Sequence, residues 1–121
     1  MTLLTVSTPP WFIRMLCKEG RIASAIDAVV ILMNNRGYRV SSGIFYHLLQ
    51  GCIEKKSLRL GRKVHQLIVR SGYIFDTFLG SHLIRMFSEC GSLAEAVEVF
   101  DELPENTVYT WSAVIFAYAK Y

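Results

Sequence analysis

The sequence predicts an all-α protein, an α-solenoid of stacked antiparallel helix pairs with about three and a half repeats, and three observations support this. Apolar residues recur with helical spacing along most of the 121 residues. Segments 17–25 and 88–96 carry Gly, an aliphatic residue and Ala at matching offsets, and their separation of 71 residues is about two periods of a helical-hairpin repeat. No stretch alternates apolar and polar residues as a half-buried strand does.

Seven helices follow in chain order from these patterns. We expect three pairs and a lone last helix, at 10–20 with 22–36, 43–54 with 57–71, 77–90 with 92–103, and from about 109 onwards. Gly91 suits the left-handed position that ends a helix. Ser92, followed three residues later by Glu95, has the spacing of a capping box. Linkers between helices are short, as in stacked helix pairs that bury their apolar faces against one another.

Composition and charge limit the classes of function. With 52% hydrophobic and 19% charged residues, the chain is not expected to be disordered. It also contains no run of roughly 18 apolar residues, so a membrane-spanning helix is not expected. The net charge of +3 is uneven, because residues 42–76 carry six Lys/Arg against two Asp/Glu, whereas 77–107 carry one against six. The basic part would suit a polyanion.

Motifs for catalysis or metal binding are not found. The sequence has no glycine-rich phosphate loop, nucleophile elbow or zinc-deaminase motif, so we expect no enzyme activity and no cofactor. Cys17, Cys52 and Cys90 are an odd number and far apart, which argues against a disulfide framework. Without Cys-x-x-Cys or His-x-x-x-His spacing, a metal site is not expected. His65 is expected to be a packing residue with a hydrogen-bonded ring nitrogen.

A long run of motif residues is similar to a known family. The run comprises Gly61-Arg-Lys-Val-His65, Met86-Phe-Ser-Glu-Cys-Gly-Ser-Leu93, Val99-Phe-Asp-Glu-Leu-Pro104 and Thr110-Trp-Ser-Ala113. It resembles consecutive motifs of plant pentatricopeptide repeat (PPR) proteins, in the subclass with alternating long and short motifs (PLS-type). The resemblance implies four units in a short or truncated member: 6–41, divergent; 42–76, long-type; 77–107, short-type; and 108–121, the first helix of an incomplete repeat.

The resemblance also implies a function. Members of this family bind single-stranded RNA at roughly one base per repeat and take part in organelle RNA metabolism, in editing, processing or stability. The chain is accordingly expected to be non-catalytic and to act in the mitochondrion or the chloroplast, with the mitochondrion preferred. With so few repeats, we expect the RNA binding to be weak and of low specificity.

Particular residues are implicated by matching them to the family's motif. The fifth and last residues of a motif meet a base edge, the second packs against the base face, and a further position faces a phosphate. The implied RNA-binding residues are Tyr46 with Asp76, Ser81 with Thr107, and Ser112 as base-edge residues, Phe78 and Tyr109 as stacking residues, and Lys18 and Lys120 as phosphate-facing cations. On periodicity alone, Phe78 and Tyr109 are equally consistent with core or inter-repeat packing.

The last helix suggests an alternative function. Trp111, Val114, Ile115 and Tyr118 form an apolar stripe that has no second helix to cover it, so we expect an exposed apolar patch. The chain would then be a protein–protein interaction module, or a truncated product, that associates with itself or with another repeat protein completing the solenoid. The basic residues of 57–71 are expected on the solvated outer face.

Overall fold

The computed structural model describes residues 10–34, 39–73 and 76–121. In these ranges the chain forms seven α-helices and no strands: α1 (Pro10–Lys18), α2 (Ile22–Met33), α3 (Ser42–Lys55), α4 (Leu58–Arg70), α5 (Thr77–Glu89), α6 (Leu93–Glu102) and α7 (Val108–Lys120). Their ends lie within a few residues of the sequence-based expectations. The helix expected at 22–36 ends at Met33, with residues 35 and 36 outside the described ranges, as are residues 6–9 of the expected first unit.

The helices lie in two layers. The first helices of the pairs, α1, α3, α5 and α7, pack side by side in chain order, and α2, α4 and α6 cover them from the other side. The core runs between the layers and includes the fully buried Phe45, Leu49, Ile68 and Phe87. This arrangement confirms the predicted all-α solenoid of helix pairs. The division into four units with the particular ends given above stays a prediction.

The turn inside each helix pair is built the same way three times. Gly20, Lys56 and Gly91 have φ of +80°, +53° and +94°, so each ends a helix in the left-handed conformation. The next residue in every turn donates its backbone N–H to the carbonyl five residues earlier, at 2.8 to 3.1 Å. The prediction for Gly91 is therefore confirmed, and Lys56 occupies a position that favours glycine.

The capping box predicted at Ser92 is only half formed. The Ser92 side chain accepts a hydrogen bond from the Glu95 N–H at 3.4 Å, as expected. The Ser92 N–H, however, donates to the Phe87 carbonyl at 2.8 Å, so it is not available to the Glu95 carboxylate. That carboxylate instead accepts a hydrogen bond from the Ser92 hydroxyl at 2.8 Å and pairs with Arg62 at 2.9 Å.

Two further interior features concern titratable groups. Burial raises the pKa of Cys17 to about 11 and that of Cys52 to about 12, so both thiols stay protonated and act as small apolar groups.

His65 packs edge-on against Phe87, with ring centroids 5.4 Å apart. Its buried Nε2 has no hydrogen-bond partner, so this atom does not make the expected hydrogen bond. Burial accordingly lowers the pKa of His65.

In the part of the chain that the structure describes, no helix combines the length and the apolar character needed to cross a bilayer.

Candidate nucleic-acid interface

A cleft of about 600 Å³ opens between the first helices α5 and α7. Phe78, Ser81, His82 and Arg85 line it from α5, and Tyr109 and Ser112 line it from α7. The α5 residues recur every three or four positions because side chains at that spacing share one face of a helix. Four of the residues implicated by the sequence, Phe78, Ser81, Tyr109 and Ser112, therefore lie together in one cleft.

The two aromatic rings of this cleft are exposed. Phe78 has 48% of its surface accessible and Tyr109 has 75%, so neither ring belongs to the core. Phe78 does pack against the preceding repeat, with its ring centroid 5.8 Å from that of Tyr46. The core alternative is thus wrong for both residues, whereas inter-repeat packing holds for Phe78.

The serine hydroxyls supply polar groups between the rings. The Ser81 hydroxyl donates a hydrogen bond to the Phe78 carbonyl, one helical turn earlier, at 2.9 Å. Its lone pairs then remain free to accept hydrogen bonds. Ser112 is exposed at the corresponding place on α7, four residues after the N-terminal residue of its helix. Both serines line the same cleft as the two rings.

His82 lines the cleft and packs against Tyr46, which does not line it. The His82 ring lies edge-on to Tyr46 and Phe78, with centroid distances of 4.7 and 4.9 Å. Burial, and to a smaller extent the nearby Arg85 guanidinium, lowers the pKa of His82, so the imidazole is neutral at pH 7. Tyr46 thus touches the cleft's lining only through its ring contacts with Phe78 and His82.

Asp76 and Thr107 act as helix caps. An Asp76 carboxylate oxygen accepts a hydrogen bond from the Leu79 N–H at 3.1 Å. The Thr107 hydroxyl accepts from the N–H groups of Tyr109 and Thr110 at 3.2 and 3.3 Å, and the Thr110 hydroxyl accepts from the Thr107 N–H at 2.9 Å, which completes a capping box. Both residues lie at the helix ends, outside the lining of the cleft.

The two lysines implicated by the sequence lie in different surroundings. Lys120 is at the edge of the cleft, over the Phe116 ring at 5.9 Å, but its ammonium group donates to both Glu89 oxygens at 3.2 and 3.3 Å. Hydrogen bonds from Tyr121, Lys120 and Lys56 lower the pKa of Glu89, the Tyr121 hydroxyl contributing most. Lys18 is exposed on α1, which contacts α2 and α3 but not α5 or α7.

The match to the family's motif does not implicate His82 or Arg85, which also line the cleft. The available signal was their helical spacing, since they follow Phe78 by four and seven residues and so share its face. The basic residues Arg59, Lys63 and Arg70 are exposed on α4, in the layer away from the cleft, as expected. Arg62, in the same group, pairs with Glu95.

The apolar stripe on α7 is exposed only in part. Trp111, Ile115 and Tyr118 are 51%, 61% and 59% accessible, and the Trp111 ring packs edge-on against Phe100 of α6. Val114 is only 6% accessible, so the expectation that it belongs to an exposed patch is wrong. Val114 shares the buried side of α7 with Thr110 and Ala117, three or four residues away, and this side packs against α5.

The helix pairs stack so that their first helices form one layer and their second helices the other, and the polar and aromatic cleft lies in the layer of first helices. This architecture defines an α-helical repeat protein of the solenoid class. The family model of the PPR repeat matches residues 81–108. These residues include most of α5, all of α6 and the first residue of α7.

The chain is also similar to plant proteins that carry this repeat. A mitochondrial pentatricopeptide repeat-containing protein of Arabidopsis thaliana is 33% identical over 108 residues, which are 89% of this chain and 14% of the relative. A chloroplastic one from the same plant is 38% identical over 101 residues, 84% of this chain and 16% of the relative. The chain thus spans about a sixth of the length of these curated relatives.

Proposed function

We propose that this protein binds single-stranded RNA in the cleft between α5 and α7, without catalysing a reaction. The observation that carries the proposal is the lining of the cleft, where exposed aromatic rings and hydroxyl groups from neighbouring first helices face the same space. Aromatic rings stack on any base, and this stacking contributes about 1–3 kcal/mol per base. Small hydroxyl groups can then hydrogen-bond the base edge.

The proposed binding mode follows from the geometry of the four residues. A base enters between the rings of Phe78 and Tyr109, each of which is exposed to solvent over a large part of its surface. Its edge meets Ser81, whose hydroxyl hydrogen is already donated to the Phe78 carbonyl, so Ser81 accepts a hydrogen bond from the base. Ser112 contributes the equivalent contact from α7. Asp76 and Thr107 cap α5 and α7, and capping uses part of their capacity to accept hydrogen bonds. They would contact the base edge only through the remaining oxygen or lone pairs.

The cellular setting is proposed from the relatives. Those named above are a mitochondrial and a chloroplastic protein, so we propose that this protein acts in one of these organelles. Its role would be in organelle RNA metabolism, in editing, processing or stability, as a PLS-type repeat array. The chain spans only about a sixth of the length of these relatives. We therefore propose that its RNA-binding surface is correspondingly short and contacts few bases.

The test measures RNA affinity with and without the α7 ring. Fluorescence anisotropy of short labelled oligoadenylate and oligouridylate, at low salt, should show binding by the unaltered protein. Tyr109→Ala should weaken this binding about tenfold, within the range for loss of one stacked base, whereas Tyr109→Phe should retain most of it. The matched control is Ile115→Ala, since Ile115 is similarly exposed on the same helix but does not line the cleft. Equal affinities for Tyr109→Ala and Ile115→Ala would contradict the proposal.

A second candidate function is supported by the exposed face of α7. Trp111, Ile115 and Tyr118 present large apolar side chains to solvent, and such a patch is typical of a protein-binding surface. The partner would be another copy of the chain or another repeat protein. Light scattering at increasing protein concentration tests self-association: mass should rise with concentration in the unaltered protein and less in an Ile115→Ser, Tyr118→Ser variant. A monomer at every concentration would exclude self-association.

A further inference from the structure

Arg85 supplies the positive charge among the described residues that line the cleft. It lies on α5, four residues after Ser81 and seven after Phe78, and so on the same face as both. Among the described residues that line the cleft, Arg85 is the one charged side chain, and none of the lining residues is acidic. The others are aromatic, hydroxyl, imidazole or small side chains. A polyanion entering the cleft would therefore meet a positive group and no opposing negative one.

The guanidinium group of Arg85 is not engaged by an acidic partner. Glu89, one helical turn further along α5, is the acidic residue placed to pair with it. The Glu89 carboxylate instead accepts hydrogen bonds from Lys56, Lys120 and Tyr121, at 2.8 to 3.3 Å. In the part of the chain that the structure describes, no ion pair includes Arg85, and its side chain is exposed.

We propose that Arg85, rather than Lys120, is the cation through which this cleft holds a phosphate group of bound single-stranded RNA. The inference rests on the proposed function, since it names the phosphate contact of the same site. A guanidinium group suits this role because its planar array of N–H donors matches two phosphate oxygens at once. With the base between Phe78 and Tyr109, Arg85 provides the charge and the aromatic rings provide the stacking.

Lys120 is less suited because of its partner. A phosphate approaching its ammonium group would also approach the Glu89 carboxylate, which lies 3.2 Å from that ammonium, and the two anions repel each other. The two positive charges of Lys56 and Lys120 are partly neutralised by the Glu89 carboxylate, so the three residues carry a net charge of only +1. Both lysine side chains are also well exposed to solvent. Replacing Glu89 should therefore release Lys120 for a phosphate.

The salt dependence of RNA binding tests the inference. The affinity for labelled oligoadenylate is measured between about 50 and 200 mM salt, where each phosphate contact to a single strand contributes about 0.7 to the slope of log K against log salt. Arg85→Gln should lower the slope by about 0.7 and weaken binding about fivefold, as for loss of an exposed ion pair. Arg85→Lys should keep the slope because it keeps the charge. The matched control is Arg59→Gln, with the same charge change on the exposed face of α4, which should leave the slope unaltered.

A second pair of variants addresses Lys120 directly. As single changes, Lys120→Gln should lower the slope far less than Arg85→Gln. Glu89→Gln should strengthen binding, and in that background Lys120→Gln should have a clear effect. The inference is overturned if Lys120→Gln lowers the slope as much as Arg85→Gln, or if Arg85→Gln behaves like Arg59→Gln while the RNA still binds. Absence of binding by the unaltered protein at low salt would instead overturn the proposed function.

Discussion

Replacing Gly51 by alanine should destabilise the protein, because the added methyl group has no space. Gly51 is buried on α3, and a Cβ atom there would lie 2.9 Å from Cγ1 of Ile22 and closer still to its Cδ1. Ile22 begins α2 and is 2% accessible, so it cannot move aside into solvent. Overpacking of this kind costs about 1–3 kcal/mol. The better helix propensity of alanine returns about 1 kcal/mol, so we expect a net loss of about 1 kcal/mol.

Urea unfolding followed by circular dichroism measures this loss, with a matched control on the same helix. At Gly43, which is exposed, the nearest atom to an added Cβ is the Ser41 hydroxyl oxygen at 3.8 Å. Gly43→Ala should therefore leave the free energy of unfolding unchanged or raise it by up to about 1 kcal/mol. A Gly51→Ala variant as stable as Gly43→Ala would refute the packing argument.

A double variant identifies the colliding atom. Ile22→Val removes Cδ1 and, in the unaltered protein, should cost about 0.5–1.5 kcal/mol, as is usual for this change in a core. In the Gly51→Ala background the same change relieves the overlap, so it should cost nothing or restore stability. An equal cost in both backgrounds would show that Ile22 is not the obstacle.

Two further predictions concern single residues of the fold. Lys56→Gly should be about 1 kcal/mol more stable to urea than Lys56→Gln, since both lose the exposed pair with Glu89 but only glycine relieves the left-handed backbone at φ +53°; equal stabilities would contradict this account of the turn. His65 has a pKa lowered below 6.5 by burial, so the unfolded state binds its proton more readily and stability should fall as pH decreases below 6.5. His65→Leu should reduce this fall and raise stability at pH 7, because it removes the unpaired Nε2; unfolding curves with the same pH dependence in both proteins would count against it.

The helices and their turns could be predicted because their signals are local. A glycine at the end of a helix and a serine at the start of the next lie within a few residues of each other, as at Gly91 and Ser92. The period of about 35 residues then repeats the same turn, so even Lys56 can be assigned its left-handed conformation by analogy once the register is known. The all-α solenoid follows from these local signals and their spacing.

The four predicted residues of the cleft were found by matching the family's motif, which gives positions along each helix but not the contacts between helices. The spacing that places Phe78 and Ser81 on one face also applies to Arg85, which could have been found from that spacing. The partner of Lys120 could not, because Glu89 is distant in sequence and comes near only when α5 and α7 pack together. Val114 illustrates the same limit, since an apolar stripe gives no indication of which half the neighbouring helix covers.

RNA is proposed to lie in the cleft between α5 and α7, and photo-crosslinking tests this most directly. The protein is irradiated with RNA that contains 5-iodouridine, and the modified residues are identified by mass spectrometry. We predict crosslinks at Phe78 and Tyr109, the exposed rings of the cleft, and their loss when unlabelled RNA competes. Specific crosslinks confined to the α4 and α6 layer, with none at Phe78 or Tyr109, would contradict the account.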